Sequence, residues 1–303
     1  MNQKLLDAFQ NLSDKDFCET YFLVIDKERR EVPFIFNPVQ KELEEAWGKF
    51  NVVLKYRKPG VSLQVQNKFL SRILRKKNRN AVVLSYDKDA TQRQLERTAW
   101  TLNHLPFPVR LERESKQEFK ILETNSKLFI GVAGSKAFGR GDDVTDLHIS
   151  EYAFWENPKL ITGILEALTT DAFVVVESTA NGPTNDYAML YRKGKVPGSD
   201  WKSHFFPWWI DKTLVHPVGK DFVHTDEEKE LKVAYGLQDQ QLAWRRWKIA
   251  NMLEPELFPQ EYPANDREAF LVLGDCVFSK SGLAALEKRV SEPNLVGELI
   301  HVA

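Results

Sequence analysis

The sequence predicts an α/β fold in which a mostly parallel β-sheet is flanked by helices. Short apolar runs rich in β-branched residues recur between residues 51 and 178, and stretches with helical periodicity separate several of them. Strands that are apolar throughout are typical of parallel sheets covered on both faces. Alternating strands and helices supply the crossover connections that parallel neighbours need, so both observations predict the same architecture.

Five apolar runs are assigned to strands and two stretches to helices. The first helix, residues 62–77, begins at Ser62, whose side chain can cap it. Its apolar residues fall on one side, by which it is expected to pack, and its basic residues are expected to face solvent. The second helix follows Tyr86. The strands are NVVLK (51–55), AVVLS (81–85), LFIGV (128–132), TDLHIS (145–150) and FVVVES (173–178), and the first helix packs through Val65, Phe69, Leu70 and Ile73.

Composition divides the chain into three parts. Residues 1–205 are expected to form the α/β core with an N-terminal helical segment. Residues 206–275 begin with the aromatic stretch FFPWW, continue with two helices that meet at Gly236, and are expected to form a small lid subdomain. Its aromatic side chains can stack on bases, but at helical spacing they are expected to be subdomain core. Residues 276–303, punctuated by Pro, Gly and Ser, are expected to be a linker.

Composition also limits the class of protein. The 303 residues are 43% hydrophobic and 28% charged, which excludes a disordered chain, and the aliphatic stretches are too short to span a bilayer. The N-terminus lacks the basic start and apolar run of a secretory signal, so a reducing compartment is expected. Cys18 and Cys276 have no paired spacing, which argues against a structural zinc site.

Charge is balanced over the whole chain but not locally. The 42 Lys and Arg residues against 43 Asp and Glu give a formal net charge of −1, yet residues 68–79 hold six cations and no acid. Arg72, Arg75 and Lys76 are therefore candidates for contacts with DNA phosphates. A solvated helix face is the more common use of such a run, and both interpretations stay open at this point.

The segment KYRKPGVS, from Lys55 to Ser62, follows a strand and opens a helix. A phosphate-binding loop needs backbone N–H groups aimed at the anion, a helix N-terminus, a cation and a hydroxyl for Mg²⁺. Gly60 and Ser62 stand where the Walker A pattern has its second Gly and its Ser/Thr, but Lys55 replaces the first Gly and Val61 the lysine. An ordinary strand–turn–helix corner is the alternative. If the loop binds phosphate, its charge must come from Lys55, Arg57 or Lys58.

A second strand ends in Ser150 and Glu151, which suits the water-activating end of a P-loop ATPase. There the glutamate orients the attacking water, and the preceding residue, usually Asp, holds the Mg²⁺ shell. Ser150 can donate a hydrogen bond to an Mg-bound water but carries no charge. Upstream, FGRG (138–141) places Arg140 between two glycines, where it can be presented to a phosphate. For each feature alone, a solvated residue is the alternative.

A third strand leads into VVVESTANG, residues 174–182. Ligands of open α/β folds bind at the carboxyl ends of the strands, where Ser178, Thr179 and Asn181 can sense a terminal phosphate. A polar turn at Asn181–Gly182 is the alternative for this segment alone. Because all three segments follow predicted buried strands of one sheet, they are expected at the same edge, and coincidence becomes the poorer explanation.

Taken in order, these motifs resemble the ATPase half of the large terminase subunit that packages DNA into tailed-bacteriophage heads. The similarity rests on KYRKPGVS, FGRG, LHISEYAFW and ESTANG and continues through FFPWW, LAWRRWKI and FPQEYPANDREAF, from about Asn37 to Phe278. It implies a RecA-like P-loop ATPase of the additional-strand, catalytic-glutamate class, with ATP and Mg²⁺ as cofactors. Large terminases also carry a C-terminal nuclease; the chain stops at Ala303, so an excised or truncated product without nuclease activity is expected.

The resemblance implies roles for individual residues. Glu151 is implied as the catalytic glutamate, with Ser150 in the metal-shell position, and Arg140 as the arginine offered to a neighbouring subunit's nucleotide. Thr179 matches the motif that couples hydrolysis to movement, and Gln40 in FNPVQ matches the glutamine that reads adenine. The loop contacts it implies are Gly60 and Ser62 for phosphate and Mg²⁺, and Arg57 as the basic residue, with Lys55 or Lys58 in support.

Partners follow from the same resemblance. It implies double-stranded DNA, a portal protein, a small terminase subunit and a homo-oligomeric ring when active, in the cytoplasm of an infected bacterium; a monomer in isolation stays open. Three alternatives also stay open. A helicase would share the nucleotide site but normally has tandem cores, and a catalytically inactive scaffold is motivated by Val61 and Ser150. A metal nuclease would use Asp142, Asp143 and Asp146.

Overall fold

A computed structural model describes residues 3–114, 117–134, 143–270 and 289–290. The chain separates into a large compact unit, residues 1–271, and a second unit, residues 272–303. All helices and strands given below belong to the large unit. None of the helices in the described ranges combines the length and the apolar character needed to cross a bilayer.

The large unit contains a central eight-stranded sheet, a two-stranded hairpin and helices. The strands are β1 (Leu23–Ile25), β2 (Glu31–Pro33), β3 (Phe50–Lys55), β4 (Asn80–Ser85), β5 (Leu111–Glu114), β6 (Glu118–Ile121), β7 (Ser126–Val132), β8 (Val144–Ser150), β9 (Leu168–Ser178) and β10 (Trp201–Phe206). The helices are α1 (Gln3–Gln10), α2 (Asp14–Tyr21), α3 (Pro38–Ala46), α4 (Val61–Arg75), α5 (Lys88–Asn103), α6 (Leu160–Leu165), α7 (Asp186–Lys193), α8 (Asp226–Tyr235), α9 (Asp239–Ala250), α10 (Phe258–Glu261) and α11 (Asp266–Ala269).

The central sheet is mostly parallel, as predicted. Its order is β10-β3-β9-β8-β4-β7-β6-β5, with β10 through β7 parallel and β6 and β5 antiparallel at one end. The five strands predicted from apolar runs are present as β3, β4, β7, β8 and β9. The β1–β2 hairpin, the β5–β6 pair and β10 were not predicted. Only three of the six residues of β10 are buried, with accessible residues between them, so this strand gives no continuous apolar run.

Two apolar cores cover the two faces of the sheet. Successive side chains of a strand point to opposite faces, and in β3 Val53 belongs to one core while Val52 and Leu54 belong to the other. Phe69 of α4 packs in the first core and Tyr187 of α7 in the second. Burial on both faces therefore explains why the central strands are apolar at almost every position.

The basic side of α4 is not solvated, so that prediction was wrong. Arg72 and Arg75 both pair with Asp14, and Arg72 also contacts the fully buried Asp146 at 2.5 Å. Burial alone would raise the pKa of Asp14, but the cations around it hold that pKa well below its usual range. Lys76 is exposed, whereas Arg72 and Arg75 lack the exposure that contact with DNA phosphates requires.

Residues 206–270 pack on the same core as the sheet. Trp208 is fully buried and stacks on Trp244 with ring centroids 5.2 Å apart, so both are core residues, as predicted. Trp247 keeps 45% of its surface exposed. The two predicted helices are α8 and α9, and Gly236 ends α8 in the left-handed conformation. The division of this region into a separate lid stays a prediction.

Candidate functional site

The three sequence segments singled out above meet at one edge of the sheet, which confirms the predicted convergence. Strands β3, β9 and β8 are parallel neighbours, and their carboxyl ends lie in register. Leu54 of β3 pairs with Ser178 of β9, and Ser150 of β8 pairs with Glu177 of β9. The residues that follow these strands therefore share one edge, where open α/β folds bind their ligands.

The loop between β3 and α4 has the backbone of an anion site. Helix α4 begins at Val61, and Gly60 precedes it in the left-handed conformation with φ of 87° and no side-chain cap. The predicted cap by Ser62 was wrong, because Ser62 lies inside the first turn and its hydroxyl donates elsewhere. The N–H groups at this helix end consequently receive no side-chain acceptor from the cap, which suits a bound phosphate.

Helix α3 supports the loop from outside. Asn37 donates through Nδ2 to the carbonyl of Pro59 at 2.9 Å, and Gln40 donates through Nε2 to the carbonyl of Gly60 at 2.8 Å. The other amide atom of Gln40, Oε1, accepts from the backbone N–H of Asn37, and the side chain is buried. In this arrangement Gln40 positions the loop, and its adenine-reading role stays a prediction.

Lys55 supplies a buried cation at the start of the loop. Its side chain is only 4% exposed, and Nζ lies 3.0 Å from Oε1 of Glu151 and 3.0 Å from Oε2 of Glu177. Burial alone would lower the pKa of Lys55, but the two carboxylates outweigh it and raise the pKa above its ordinary value. Val61, at the usual lysine position, is fully buried in the apolar core. Lys55 is therefore the loop cation that lies against these two carboxylates, and its phosphate-binding role stays a prediction.

The other two loop cations, Arg57 and Lys58, lie in different surroundings from Lys55. Arg57 donates through Nη1 to Glu261 of α10 at 2.7 Å, and its backbone N–H donates to the Glu261 carbonyl at 2.8 Å. Lys58 is exposed, with φ of 66°. Arg57 thus ties the loop to the region after residue 206.

Glu151 occupies an unusual backbone conformation at the end of β8. Its φ of 53° and ψ of 45° place it in the left-handed region, which costs a non-glycine residue on the order of 1 kcal/mol. The side chain is 29% exposed and its Oε2 accepts from the hydroxyl of Ser178 at 3.3 Å. Strain of this kind is concentrated at functional sites, and here it presents a half-exposed carboxylate beside the loop.

Glu177 is a site residue that was not predicted from the sequence. It is fully buried, and its Oε1 accepts from the hydroxyls of Ser62 and Ser150, both at 2.8 Å, while Nε2 of His148 lies 3.2 Å away. Burial alone would raise the pKa of Glu177, but Lys55 and these donors lower it well below the ordinary value. A signal was present in the sequence, since Glu177 is the one charged residue of the run FVVVES.

The residues after β9 close the same edge. Thr179 is buried to 5% exposure and lines the cleft above the sheet. Asn181 donates through Nδ2 to the carbonyl of Ala153 at 3.0 Å, which ties this segment to the turn after Glu151. Thr179 therefore lines the same cleft as Glu151, and Asn181 contacts the turn that follows Glu151.

A cleft of about 1180 Å³ joins these groups. Ser62, Glu151 and Thr179 line it together with two arginines of α5, Arg93 and Arg97, which are one helical turn apart. Neither arginine has an ion pair within the described ranges, and burial followed by repulsion from Arg93 lowers the pKa of Arg97. The lining of the cleft contains seven Lys and Arg residues against four Asp and Glu residues, and this excess of positive charge favours an anionic ligand.

The acids of the alternative metal nuclease do not form a metal site in the part of the chain that the structure describes. Asp146 is fully buried and paired with Arg72 and Arg79, at 2.5 and 2.9 Å, so it has no free oxygen for a metal. Arg140 and Asp142 lie outside the described residues. Within the described ranges, no group of three or more His, Cys, Asp or Glu residues is placed to hold a metal ion.

Several solved structures that resemble this chain are terminases. The ATPase domain of the Thermus phage P74-26 large terminase matches with a TM-score of 0.57 at 15% identity, over 78% of this chain and 95% of that one. The large terminase of bacteriophage HK97 matches with a TM-score of 0.60 at 16% identity, over 82% and 53%. The large terminase of a thermophilic bacteriophage, in complex with ADP, gives 0.50 at 11% identity, over 75% and 52%. No family model and no curated protein matches the sequence.

Because the sequence identities are only 11 to 16%, the similarity to these structures establishes the fold alone. The chain corresponds to about half of the HK97 terminase and of the ADP-bound terminase, and to nearly all of the P74-26 ATPase domain. The topology of the sheet and the position of the loop at its edge agree with the fold class that the motifs predicted. The chain therefore has the RecA-like α/β fold of the ATPase domains of phage large terminases.

Proposed function

We propose that this chain hydrolyses ATP and is the motor part of a DNA-packaging large terminase. The observation that carries the proposal is the common cleft of Ser62, Glu151 and Thr179 at the carboxyl edge of the sheet. The α4 N-terminus and Lys55 supply positive charge for phosphates on one side of that edge. Glu151 is the base candidate on the other side.

The residues of this edge fit Mg²⁺. The available donors are the hydroxyls of Ser62 and Ser150 and the carboxylates of Glu151 and Glu177, and oxygen donors of this kind suit a hard divalent cation. Ser62 and Ser150 would hold the ion, directly or through water. When bound, Mg²⁺ neutralises charge on the phosphate oxygens.

The chain's own groups divide the chemical work. Lys55 and the N–H groups of α4 bind and orient the terminal phosphates, and Arg93 and Arg97 add positive charge across the cleft. Glu151 accepts a hydrogen bond from the attacking water and orients it in line with the terminal phosphate. The ion pair between Glu151 and Lys55 must break for that step, because Lys55 then contacts a phosphate and Glu151 contacts the water.

Several further assignments belong to the same proposal. Arg140 of one subunit is offered to the nucleotide of its neighbour in a ring, and Thr179 couples loss of the terminal phosphate to movement of residues 206–275. Double-stranded DNA is the substrate for translocation, with a portal protein and a small terminase subunit as partners in the host cytoplasm. Nuclease activity is not assigned to this chain.

The rate of ATP hydrolysis per subunit, measured against protein concentration, tests the proposal. Wild type is expected to become faster per subunit as concentration rises, because an arginine supplied by a neighbour contributes about 10³- to 10⁵-fold. Mixing Arg140→Ala with Glu151→Gln is expected to restore activity that neither variant has alone. If wild type and Glu151→Gln are equally inactive at every concentration and with DNA present, the chain is a catalytically inactive scaffold instead.

A further inference from the structure

The carboxylate usually expected before the catalytic glutamate is replaced by Ser150, which leaves the metal side of the cleft without its charge. The sheet places a carboxylate one strand away. Ser150 on β8 and Glu177 on β9 are direct partners in the parallel register, and their side chains meet with the serine hydroxyl 2.8 Å from Oε1. A charge lost on one strand is therefore present on the next.

Hydrogen bonding at Glu177 sets the orientation of both hydroxyls. Ser62 and Ser150 each donate their only proton to the same oxygen, Oε1, at 2.8 Å. A serine that donates its proton in one direction keeps its lone pairs for the other, where they can accept from a cation or a metal-bound water. Glu177 thus turns two neutral hydroxyls into oriented oxygen ligands without leaving its buried position.

The charges of the site also indicate that Glu177 favours a bound cation. The groups that meet at Lys55 are the lysine, with one positive charge, and Glu151 and Glu177, with one negative charge each; the neutral imidazole of His148, 3.2 Å from Glu177, adds no charge. With Glu177 the cluster carries one net negative charge, which attracts a divalent cation; without it, the cluster would be neutral. The lysine alone needs only one carboxylate, and Glu151 already accepts its hydrogen bond at 3.0 Å.

We propose that Glu177 is the positioning residue of the metal site: it supplies the negative charge that Ser150 lacks and orients the hydroxyls of Ser62 and Ser150 toward Mg²⁺. It acts through the two serines rather than by contact with the nucleotide. This inference rests on the proposed function, since it concerns the metal that accompanies ATP.

Metal binding measured apart from turnover tests this proposal. Mn²⁺ serves as the probe, followed by electron paramagnetic resonance on the full chain with a non-hydrolysable ATP analogue, and a fluorescent ATP analogue is titrated with Mg²⁺ and with EDTA. Glu177→Gln is expected to weaken Mn²⁺ binding about 10- to 100-fold, the range typical when a residue supporting the metal ligands is lost, and to leave nucleotide affinity in EDTA unchanged. The matched control is Asp171→Asn, an exposed acid on the same strand, which is expected to bind Mn²⁺ like wild type.

A rescue variant separates this role from simple packing. The double variant Ser150→Asp, Glu177→Gln has its carboxylate on β8, opposite the position on β9 where wild type has it. It is expected to restore the Mn²⁺ affinity to within a few fold of wild type. If Glu177→Gln does not fold by circular dichroism, Glu177→Asp takes its place, because it keeps the charge but withdraws the carboxylate from the hydroxyls. Unchanged Mn²⁺ affinity in the folded variant overturns the inference. Absence of nucleotide binding by wild type, with or without Mg²⁺, overturns the proposed function instead.

Discussion

Replacing Lys55 by Met should reverse the pH dependence of stability that Glu177 imposes. In the wild type the pKa of Glu177 is lowered from 4.5, so its contribution to stability is present above pH 4.5 and is lost as the pH falls below that value. Lys55→Met removes the buried cation but keeps its length. Burial then dominates at Glu177 and raises its pKa, so the variant gains stability as the pH falls from 8 to 5.

The size of the effect follows from burial. Removing one partner of a buried ion pair costs about 3 to 5 kcal/mol, and Lys55 and Glu177 are 4% and 0% exposed, so solvent does not screen this pair. Glu151 is 29% exposed and can be hydrated, so it adds little to the loss. Once the pH is below the raised pKa of Glu177, protonation of its carboxylate relieves about 1.4 kcal/mol of this loss for each further pH unit. We therefore expect a loss of about 3 kcal/mol at pH 8 that shrinks to about 1 kcal/mol at pH 5.

Urea unfolding of wild type and variant at pH 5, 6, 7 and 8 measures this difference. The control is Lys58→Met, which removes a charge from the same loop at an exposed position and should change the unfolding free energy by less than about 0.5 kcal/mol at every pH. A Lys55→Met penalty that stays constant from pH 5 to pH 8 would refute the assignment of Lys55 as the counter-charge of Glu177.

Three further predictions concern the loop, the α4 cations and the cleft wall. Gly60→Ala should lower the free energy of unfolding by about 1 to 3 kcal/mol in thermal melts, because the added Cβ would lie 2.8 Å from Nε2 of Gln40. The control is Gly182→Ala, which has a similar positive φ but open space around it and should cost only about 1 kcal/mol. Arg72→Ala should lose about 1 to 3 kcal/mol in urea unfolding, because the buried carboxylates of Asp14 and Asp146 each lose one of their cationic partners and keep the others. Lys76→Ala should stay within about 0.5 kcal/mol, and equal effects of the two changes would contradict the burial of the basic face. Arg97→Ala should weaken the binding of a fluorescent ATP analogue about tenfold without changing the free energy of unfolding, because Arg97 lines the cleft and adds positive charge to it. If the variant loses DNA binding and keeps its nucleotide affinity, Arg97 contacts DNA instead.

Sequence patterns predicted the central strands and their common edge because both depend on local information. A strand buried on both faces must be apolar throughout, and a parallel neighbour must place its polar residues at the same end, as Ser62, Glu151 and Thr179 do. The edge strands were missed because partial exposure removes that continuous signal. Strand β10 is the clearest case, since only three of its six residues are buried.

The pairing of charges could not be predicted, because the partners are distant in sequence. Nothing in residues 68–79 indicates that Asp14 and Asp146 will pair with their cations, so the pattern resembled a solvated face. Glu177 was overlooked for the same reason: its partners Lys55 and Ser62 come from another strand and the helix that follows it. The cost of an uncompensated buried charge is what selects these contacts in the fold.

The most direct measurement of the central claim is a single-turnover comparison of wild type with Glu151→Gln, with ATP binding and ATP cleavage followed in the same samples. Both proteins should bind ATP with similar affinity, and the variant should cleave it about 10² to 10⁴ times more slowly, because it lacks the carboxylate that orients the water. Equal cleavage rates in wild type and Glu151→Gln, with ATP bound to both proteins, would contradict the role of Glu151 in this cleft.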